Sequence, residues 1–133
     1  MSYPTQFRYT KDHEWIDAKG DAATVGITDY AQHELGDVVF VELPAAGTAL
    51  TTGKTFGSVE SVKAVSEIYA PATGQVVEAN STLQNKPESI NSDPHGAGWL
   101  VKVKLSNPAE LNSLMDAAAY EAFIEEKKKE ASA

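Results

Sequence analysis

The chain has 133 residues, of which 42% are hydrophobic, 19 are acidic and 11 are basic, so its formal net charge is −8. This length is typical of one domain, and the apolar content is enough for a single buried core. An acidic chain has few cations with which to neutralise phosphates, so neither nucleic acid nor an anionic membrane surface is an expected partner. The absence of cysteine excludes disulfides, a cysteine nucleophile and thiolate-bound metal.

The sequence gives no sign of a membrane segment. Its longest apolar runs, such as Val38–Val41, hold four residues, whereas roughly 20 are needed to span a bilayer. Residues Met1–Pro4 have neither a basic region nor an apolar stretch of the kind found in secretory signals. We therefore expect a bacterial cytoplasmic protein, or a mitochondrial matrix protein from which a transit peptide has been removed.

Most of the chain is predicted to form short strands separated by turns. A hairpin joins Glu14–Asp17 to Ala22–Ile27 through a turn that contains glycine. Thr28 is a candidate N-cap for a short helix over Asp29–Leu35, which Gly36 ends. Further strands are predicted at Val38–Leu43, Phe56–Val62, Ser66–Tyr69, Gln75–Ala79 and Trp99–Leu105. The pattern indicates an all-β core with one short internal helix.

Two helices are predicted near the C-terminus, within about residues 107–130. Asn107, the proline that follows it and Glu110 form the pattern of a capping box at the start of the first helix. Asp116 is a candidate cap for the second helix, which carries apolar residues at helical spacing. Because both helices can pack on the sheet, residues 1–133 are predicted to form one domain.

Residues 60–67 read Glu-Ser-Val-Lys-Ala-Val-Ser-Glu, a palindrome centred between Lys63 and Ala64. If Lys63–Ala64 is a two-residue turn, Glu60 lies opposite Glu67, and such a pair of like charges is destabilising. Neither turn residue readily takes the positive φ that tight hairpin turns favour. The tip is therefore not built for stability, and we expect Lys63 to be held outward at an exposed point of the sheet.

An exposed lysine on a loop usually has no role beyond solvation. Lys63 is a poor candidate for Schiff-base catalysis, because the carboxylates near it in the sequence favour its charged form. An exposed amine between acidic and hydroxyl residues is better suited to acylation by another enzyme. The three histidines, His13, His33 and His95, lack the spacing of metal ligands and are expected at the surface, so no metal is assigned.

Five blocks of sequence, in order and with consistent spacing, resemble one known family, the glycine cleavage system H protein. The resemblance extends from about Phe7 to Phe123. The blocks are Tyr9–Trp15, Gly26–Ala31, Leu35–Pro44, Gly57–Ala64 and Asn91–Pro94.

The resemblance implies a carrier rather than an enzyme. In that family the lysine at the position of Lys63 bears lipoate in amide linkage. The arm receives an aminomethyl group from a pyridoxal-phosphate glycine decarboxylase, passes the methylene to a folate-dependent aminomethyltransferase and is reoxidised by dihydrolipoamide dehydrogenase. Lipoate-attaching enzymes are further expected partners, and the carrier is expected to be a monomer.

The resemblance also implies a fold and a set of site residues. The fold is dominated by β structure: a lipoyl/biotinyl-type flattened barrel (barrel-sandwich hybrid) of two half-sheets, with a short internal helix and C-terminal helices. A cleft is expected to shield the cationic aminomethyl group from water, with Glu14 in the cleft and Asp12 and Glu67 near it. Glu60 and Glu67 bracket Lys63 and are candidates for contact with the lipoyl-attaching enzyme or with the cleft.

Other interpretations stay open on the sequence alone. The chain also fits a lipoyl donor that relays the group to 2-oxoacid dehydrogenases, or an unmodified interaction module whose Lys63 tip docks a partner. The lipoyl domain of a 2-oxoacid dehydrogenase is less favoured, because such domains are shorter and joined to flexible linkers. A biotin carrier usually sets its lysine between methionines, whereas this chain has Val62 and Ala64.

Overall fold

The computed structural model describes residues 3–132 of the chain, and the side chains of residues 3–130. Nine strands lie in this range: β1 (Arg8–Tyr9), β2 (Glu14–Lys19), β3 (Ala22–Ile27), β4 (Val38–Glu42), β5 (Ala49–Leu50), β6 (Thr55–Ser61), β7 (Val65–Tyr69), β8 (Gly74–Ala79) and β9 (Val101–Leu105). The helices are α1 (Asp29–Leu35), α2 (Ser89–Ser92) and α3 (Ala117–Ser132), with 3₁₀ turns at Ser81–Gln84 and Pro108–Ser113.

The strands pair into two antiparallel sheets. One sheet has six strands in the order β1-β2-β3-β9-β8-β5, and the other has three in the order β4-β6-β7. The predicted fold class is confirmed: the protein is mostly β, with two sheets and short helices. The two sheets are unequal in size and do not close into a barrel.

The predicted first hairpin and short helix are both present. Strands β2 and β3 pair in register from Glu14 opposite Ile27 to Lys19 opposite Ala22. The hydroxyl of Thr28 accepts a hydrogen bond from the amide of Ala31 at 3.2 Å, as expected of an N-cap. This helix, α1, leads directly into β4, the first strand of the smaller sheet.

The predicted capping box at residues 107–110 is wrong. Asn107 makes no side-chain cap, and Pro108–Ser113 forms a 3₁₀ turn rather than an α-helix. The carboxylate of Glu110 instead accepts hydrogen bonds from the amide of Thr73 at 2.7 Å and from the hydroxyls of Thr73 and Thr52 at 3.0 and 2.9 Å. Because these bonds from neighbouring turns satisfy the carboxylate, Glu110 does not turn back onto its own helix.

Helix α3 begins as predicted, with the carboxylate of Asp116 accepting from the amide of Ala119 at 2.8 Å. The buried ring of Tyr120 stacks on that of Tyr9 with centroids 4.7 Å apart. Its hydroxyl lies 2.7 Å from the hydroxyl of Thr28 and 2.8 Å from Nδ1 of His13. These contacts join α3 to the segments on either side of β2 and β3.

The expectation that all three histidines lie at the surface is wrong for two of them. His13 is half-buried against Tyr120, and burial lowers its pKa. His95 is also half-buried, and its Nε2 accepts a hydrogen bond from the amide of Asp29 at 3.1 Å. Within residues 3–132, no helix has both the length and the apolar character needed to cross a membrane.

Candidate lysine-presenting site

The hairpin of β6 and β7 ends in a turn that is organised by Ser61. The amide of Ser61 donates to the carbonyl of Ala64 at 2.8 Å, and its buried hydroxyl oxygen accepts from the amides of Lys63 and Ala64 at 3.3 and 3.1 Å. A hydroxyl that accepts from amides further along the chain gives a turn an alternative to glycine. The palindrome in the sequence does not indicate this role of Ser61.

The pairing predicted from the palindrome is wrong. In the observed register Glu60 lies opposite Val65, and Glu67 lies opposite Ser58. The two glutamates are therefore not cross-strand partners, and the expected repulsion between them is avoided. The cause is that residues 62–64 all lie in the turn that Ser61 closes, so each residue of β6 pairs two positions away from its partner in the symmetric register.

The tip places Lys63 at the surface. Lys63 is exposed, and it forms no ion pair within 4.0 Å with any side chain among residues 3–130. Its side chain lies over Gly36: an ideal Cβ built on that glycine would stand 3.4 Å from the Cε of Lys63. The lysine is therefore both accessible and supported by backbone beneath its stem.

The support beneath Lys63 is the segment between α1 and β4. The amide of Val62 donates to the carbonyl of Asp37 at 3.0 Å, which ties the hairpin tip to this segment. Asn91 holds the segment from the other side, since its Nδ2 donates to the carbonyl of Gly36 at 2.9 Å and its Oδ1 accepts from the amide of Val38 at 2.9 Å. Asn91 belongs to the last block of the family resemblance, which is the one sequence signal that points to it.

Glu14, at the start of β2, is buried with 1% of its surface exposed. Its carboxyl accepts hydrogen bonds from the hydroxyl of Thr10 at 2.6 Å and from the amide of Tyr69 at 3.1 Å. The hydroxyl oxygen of Thr10 in turn accepts from the amides of Asp12 and Glu14 at 3.2 and 3.1 Å, and so fixes the loop in which these acids lie. Burial raises the pKa of Glu14 to about 7, although its two hydrogen bonds act in the opposite direction.

Glu14 and Asp12 line one cavity. Its volume is about 280 Å³, and its walls are largely apolar, with Tyr69, Pro71 and Met115 among the residues that line it. Asp12, which is exposed, also lines a second cavity of about 310 Å³. That second cavity is bounded by α1 and by residues 64–66, which directly follow Lys63. The structure thus brings Asp12 and Glu14 together, with Asp12 between the Glu14 cavity and the hairpin.

The other two predicted acids lie elsewhere. Glu60 and Glu67 are exposed on the smaller sheet, and neither lines the cavity of Glu14. Glu67 borders a shallow depression of about 350 Å³ together with Glu42 and Ser58. Within the described residues, no group of three or more His, Asp or Glu side chains is placed to hold a metal ion.

A two-sheet β fold that displays one lysine on a supported hairpin tip, and that also has a cavity with a buried carboxyl, has the architecture of a carrier for a covalently attached arm. The comparisons with known proteins identify which carrier. The model of the glycine cleavage H-protein family matches residues 7–127. The chain therefore belongs to the glycine cleavage H-protein family.

Individual relatives agree with the family model over nearly the full length. The glycine cleavage system H protein of Acidobacterium capsulatum is 58% identical over 126 residues, which cover 95% of this chain and 97% of the relative. That of Brevibacillus brevis is 52% identical and is covered completely, by 95% of this chain. A crystal structure of a glycine cleavage system H protein from Mycobacterium marinum matches with a TM-score of 0.83 at 44% identity, covering 90% of this chain and 97% of that one.

Family membership supports the main interpretation of the sequence. The protein is a lipoyl carrier of the glycine cleavage system, with a covalently attached lipoate, and it is not itself a catalyst. Its partners include enzymes of that system.

Proposed function

We propose that lipoate is attached to the Nζ of Lys63 and that this arm moves between the enzymes of glycine cleavage and the Glu14 cavity. The observation that carries the proposal is the position of Lys63: an exposed amine, without an ion pair among the described side chains, on a tip held by Ser61 and supported by Gly36. A rigid base under a long tether gives a reactive group a high effective concentration at a docked active site.

The attachment step needs the lysine amine in reach of an activated lipoyl group, such as a mixed anhydride, supplied by the attaching enzyme. Nζ loses its ammonium proton and forms a C–N bond with the acyl carbon. The bond from that carbon to its leaving group breaks, and the electron pair departs with the leaving group. The amide nitrogen then releases a second proton, so the charge of Lys63 is lost and the formal net charge becomes −8 − 1 = −9.

The partners proposed for the finished arm are the decarboxylase, the aminomethyltransferase and dihydrolipoamide dehydrogenase. Lipoate supplies a disulfide that accepts both the aminomethyl cargo and electrons. The contribution of this chain is to hold the cationic amine of the cargo out of water. Glu14 is suited to that role, because a buried carboxyl with a pKa of about 7 ionises readily when a cation is placed beside it.

Asp12, Glu60 and Glu67 have lesser roles in this proposal. Asp12 lines both cavities, so it adds negative charge along the path from the hairpin to Glu14. Glu60 and Glu67 lie on the outer surface of the smaller sheet, where they are accessible to an enzyme that approaches Lys63. A bacterial cytoplasmic location is proposed on the similarity of the chain to the H proteins of bacteria.

Intact mass measured after incubation with lipoate, ATP and a lipoate ligase tests the attachment site. The wild type and Lys54→Arg, a matched variant at another exposed lysine, are expected to gain one lipoyl group, and Lys63→Arg none. The second test is exchange of labelled bicarbonate into the carboxyl of glycine by the decarboxylase. Equal exchange with wild type and with Lys63→Ala would refute the proposed function.

A further inference from the structure

The outer face of the smaller sheet carries exposed apolar side chains next to Lys63, with carboxylates among them and beyond them. Register places Phe40, Glu60 and Val65 in one cross-strand row, and cross-strand partners share a face of a sheet. The next outward row is Glu42, Ser58 and Glu67. We call the six residues Phe40, Glu42, Glu60, Val62, Val65 and Glu67 the docking face.

The apolar part of the docking face is unusually open to solvent. Phe40 is 51% exposed, Val65 is 65% exposed, and Val62, the neighbour of Lys63 in the turn, is 71% exposed. Val41 and Val59 form the cross-strand pair between the row of Phe40 and the row of Glu42. Their side chains point inward and are buried. Large apolar side chains that remain exposed together on a sheet indicate a surface that another molecule covers.

The charge of the docking face defines the chemistry of its partner. Strands β4, β6 and β7 contain no lysine or arginine, and the carboxylates of Glu42, Glu60 and Glu67 form no ion pair within 4.0 Å among the described side chains. Glu42 and Glu67 flank a depression of about 350 Å³, which has room for a basic side chain. A complementary surface therefore has apolar side chains opposite Phe40 and Val65, and lysine or arginine opposite Glu60 and at its rim.

We infer that the docking face is the surface that the lipoate-attaching enzyme covers when it acylates Lys63. This inference rests on the proposed function of Lys63. An enzyme that acylates the unmodified lysine must bring its reactive centre to Nζ itself, and so it must contact the surface next to the tip. Enzymes that act on the finished arm reach a group beyond the end of the lysine, and they have less need of contact with this surface.

The test measures the initial rate of lipoylation of the unmodified protein by a ligase that uses lipoate and ATP. The variant Phe40→Ser/Val65→Thr removes apolar surface from the docking face, and we expect it to raise KM about tenfold with kcat unchanged. The matched control is Val77→Thr, because Val77 is also exposed, at 59%, but lies on β8 in the other sheet. The control is expected to keep the wild-type KM.

A second pair of variants tests the charge. Glu42→Gln/Glu67→Gln is expected to raise KM and to weaken its dependence on salt, because long-range attraction to a basic rim is screened by ions. Glu78→Gln, on β8, is the matched control, since Glu78 is an exposed glutamate in the other sheet. All four side chains removed from the docking face are exposed, so circular dichroism and thermal unfolding are expected to match the wild type.

Three outcomes would overturn the inference. The first is a wild-type lipoylation KM in both docking-face variants. The second is a normal lipoylation KM with a raised KM of the decarboxylase for the lipoylated variant. That result would mean that the decarboxylase binds the docking face. The third is a concentration-dependent dimer of the wild type, seen in sedimentation, that Phe40→Ser abolishes. That result would mean that a second copy of the chain covers the docking face. If Lys63→Arg is still lipoylated, the proposed function itself fails, and that result is distinct from all three.

Discussion

The stem of Lys63 lies over the backbone at Gly36, close enough for van der Waals contact with a Cβ at that position. Gly36 has φ +81° and ψ −158°, a region that is essentially limited to glycine. An ideal Cβ at this position would stand 3.4 Å from Cε and 3.9 Å from Cδ of Lys63. The glycine that ends α1 therefore also forms part of the surface on which the lysine stem lies.

Gly36→Ala is expected to lower both stability and lipoylation. The backbone strain should reduce the free energy of unfolding by about 1–3 kcal/mol. A backbone shift that relieves this strain should also disturb the neighbouring carbonyl of Asp37, which accepts from the amide of Val62 at the hairpin tip. Gly47→Ala is the matched control, because Gly47 also has a positive φ of +95° but open space around it. We expect both variants to lose stability and only Gly36→Ala to show a lower kcat/KM for lipoylation. Equal kcat/KM values would contradict a role for Gly36 in placing the lysine.

Asn91 offers a test of the support beneath the hairpin. Its side chain makes three hydrogen bonds, to Gln32, Gly36 and Val38. Asn91→Ala should lower the free energy of unfolding by roughly 1–3 kcal/mol, because it leaves backbone groups without partners. It should also loosen the Asp37 carbonyl that accepts from the amide of Val62, so we expect faster hydrogen exchange at Val62 and slower lipoylation.

Asn80→Ala is the matched control for this prediction. The side chain of Asn80 also makes three hydrogen bonds, to Ala97, Trp99 and Thr82. Among the described residues, none of these three is hydrogen-bonded to the hairpin tip. A comparable loss of stability is expected, with exchange at Val62 unchanged once global unfolding is subtracted. If the two variants affect Val62 equally, Asn91 acts on the fold as a whole and not on the tip.

These supports also mark the limit of what sequence patterns can predict. Short-range signals worked where one residue determines a local bond: Thr28 caps α1 and Asp116 caps α3 as predicted. They failed where a distant partner competes. Glu110 bonds to Thr73 and Thr52 instead of its own helix, because amides and hydroxyls brought close by the fold offered stronger partners than the local pattern assumed.

The candidate site shows the same difference between local signals, which could be predicted, and contacts with distant residues, which could not. Exposure of Lys63 followed from the poor turn chemistry around it, but the symmetry of the palindrome predicted a wrong register. The side chain of Ser61 closes the turn and shifts the pairing, so Glu60 and Glu67 are not opposed. The support from Gly36 and Asn91 joins segments more than fifty residues apart in sequence, and no local pattern encodes such a contact.

Glu14 should make stability depend on pH in the direction opposite to an ordinary acid. Its pKa is raised in the folded protein from the usual 4.5 to about 7, so the folded state binds the proton more tightly than the unfolded state. The stabilising contribution is complete below about pH 4.5 and is lost as the pH rises through about 7. Its size is on the order of 3 kcal/mol, from about 1.4 kcal/mol for each pH unit.

Glu14→Gln removes this charge while keeping the shape of the side chain. We expect the variant to be more stable than the wild type at about pH 8, and the difference to shrink towards about pH 5. Urea denaturation at a series of pH values measures the difference in the free energy of unfolding between the two proteins. The difference between the two proteins removes the contributions of His13 and His95, whose lowered pKa values make both proteins less stable in acid. A difference that does not vary with pH would mean that Glu14 titrates normally.

The same carboxyl predicts how well the carrier protects its cargo. A cationic amine in the cavity beside Glu14 is held by the carboxylate and only weakly by the neutral acid. Because the cation itself lowers the pKa of Glu14 from the value of about 7 in the empty cavity, protection should increase with pH over a range below about 7. The measurement is the lifetime of the cargo-loaded protein after removal of the decarboxylase, for wild type and Glu14→Gln at each pH. The ratio of the two lifetimes cancels the intrinsic pH dependence of hydrolysis.

We expect this ratio of the wild-type lifetime to the Glu14→Gln lifetime to be near one in acid and to rise above one at neutral and alkaline pH, with lipoylation of the two proteins equal throughout. A ratio near one at every pH would remove Glu14 from the protection of the cargo, and would leave Asp12 as the acid to test next.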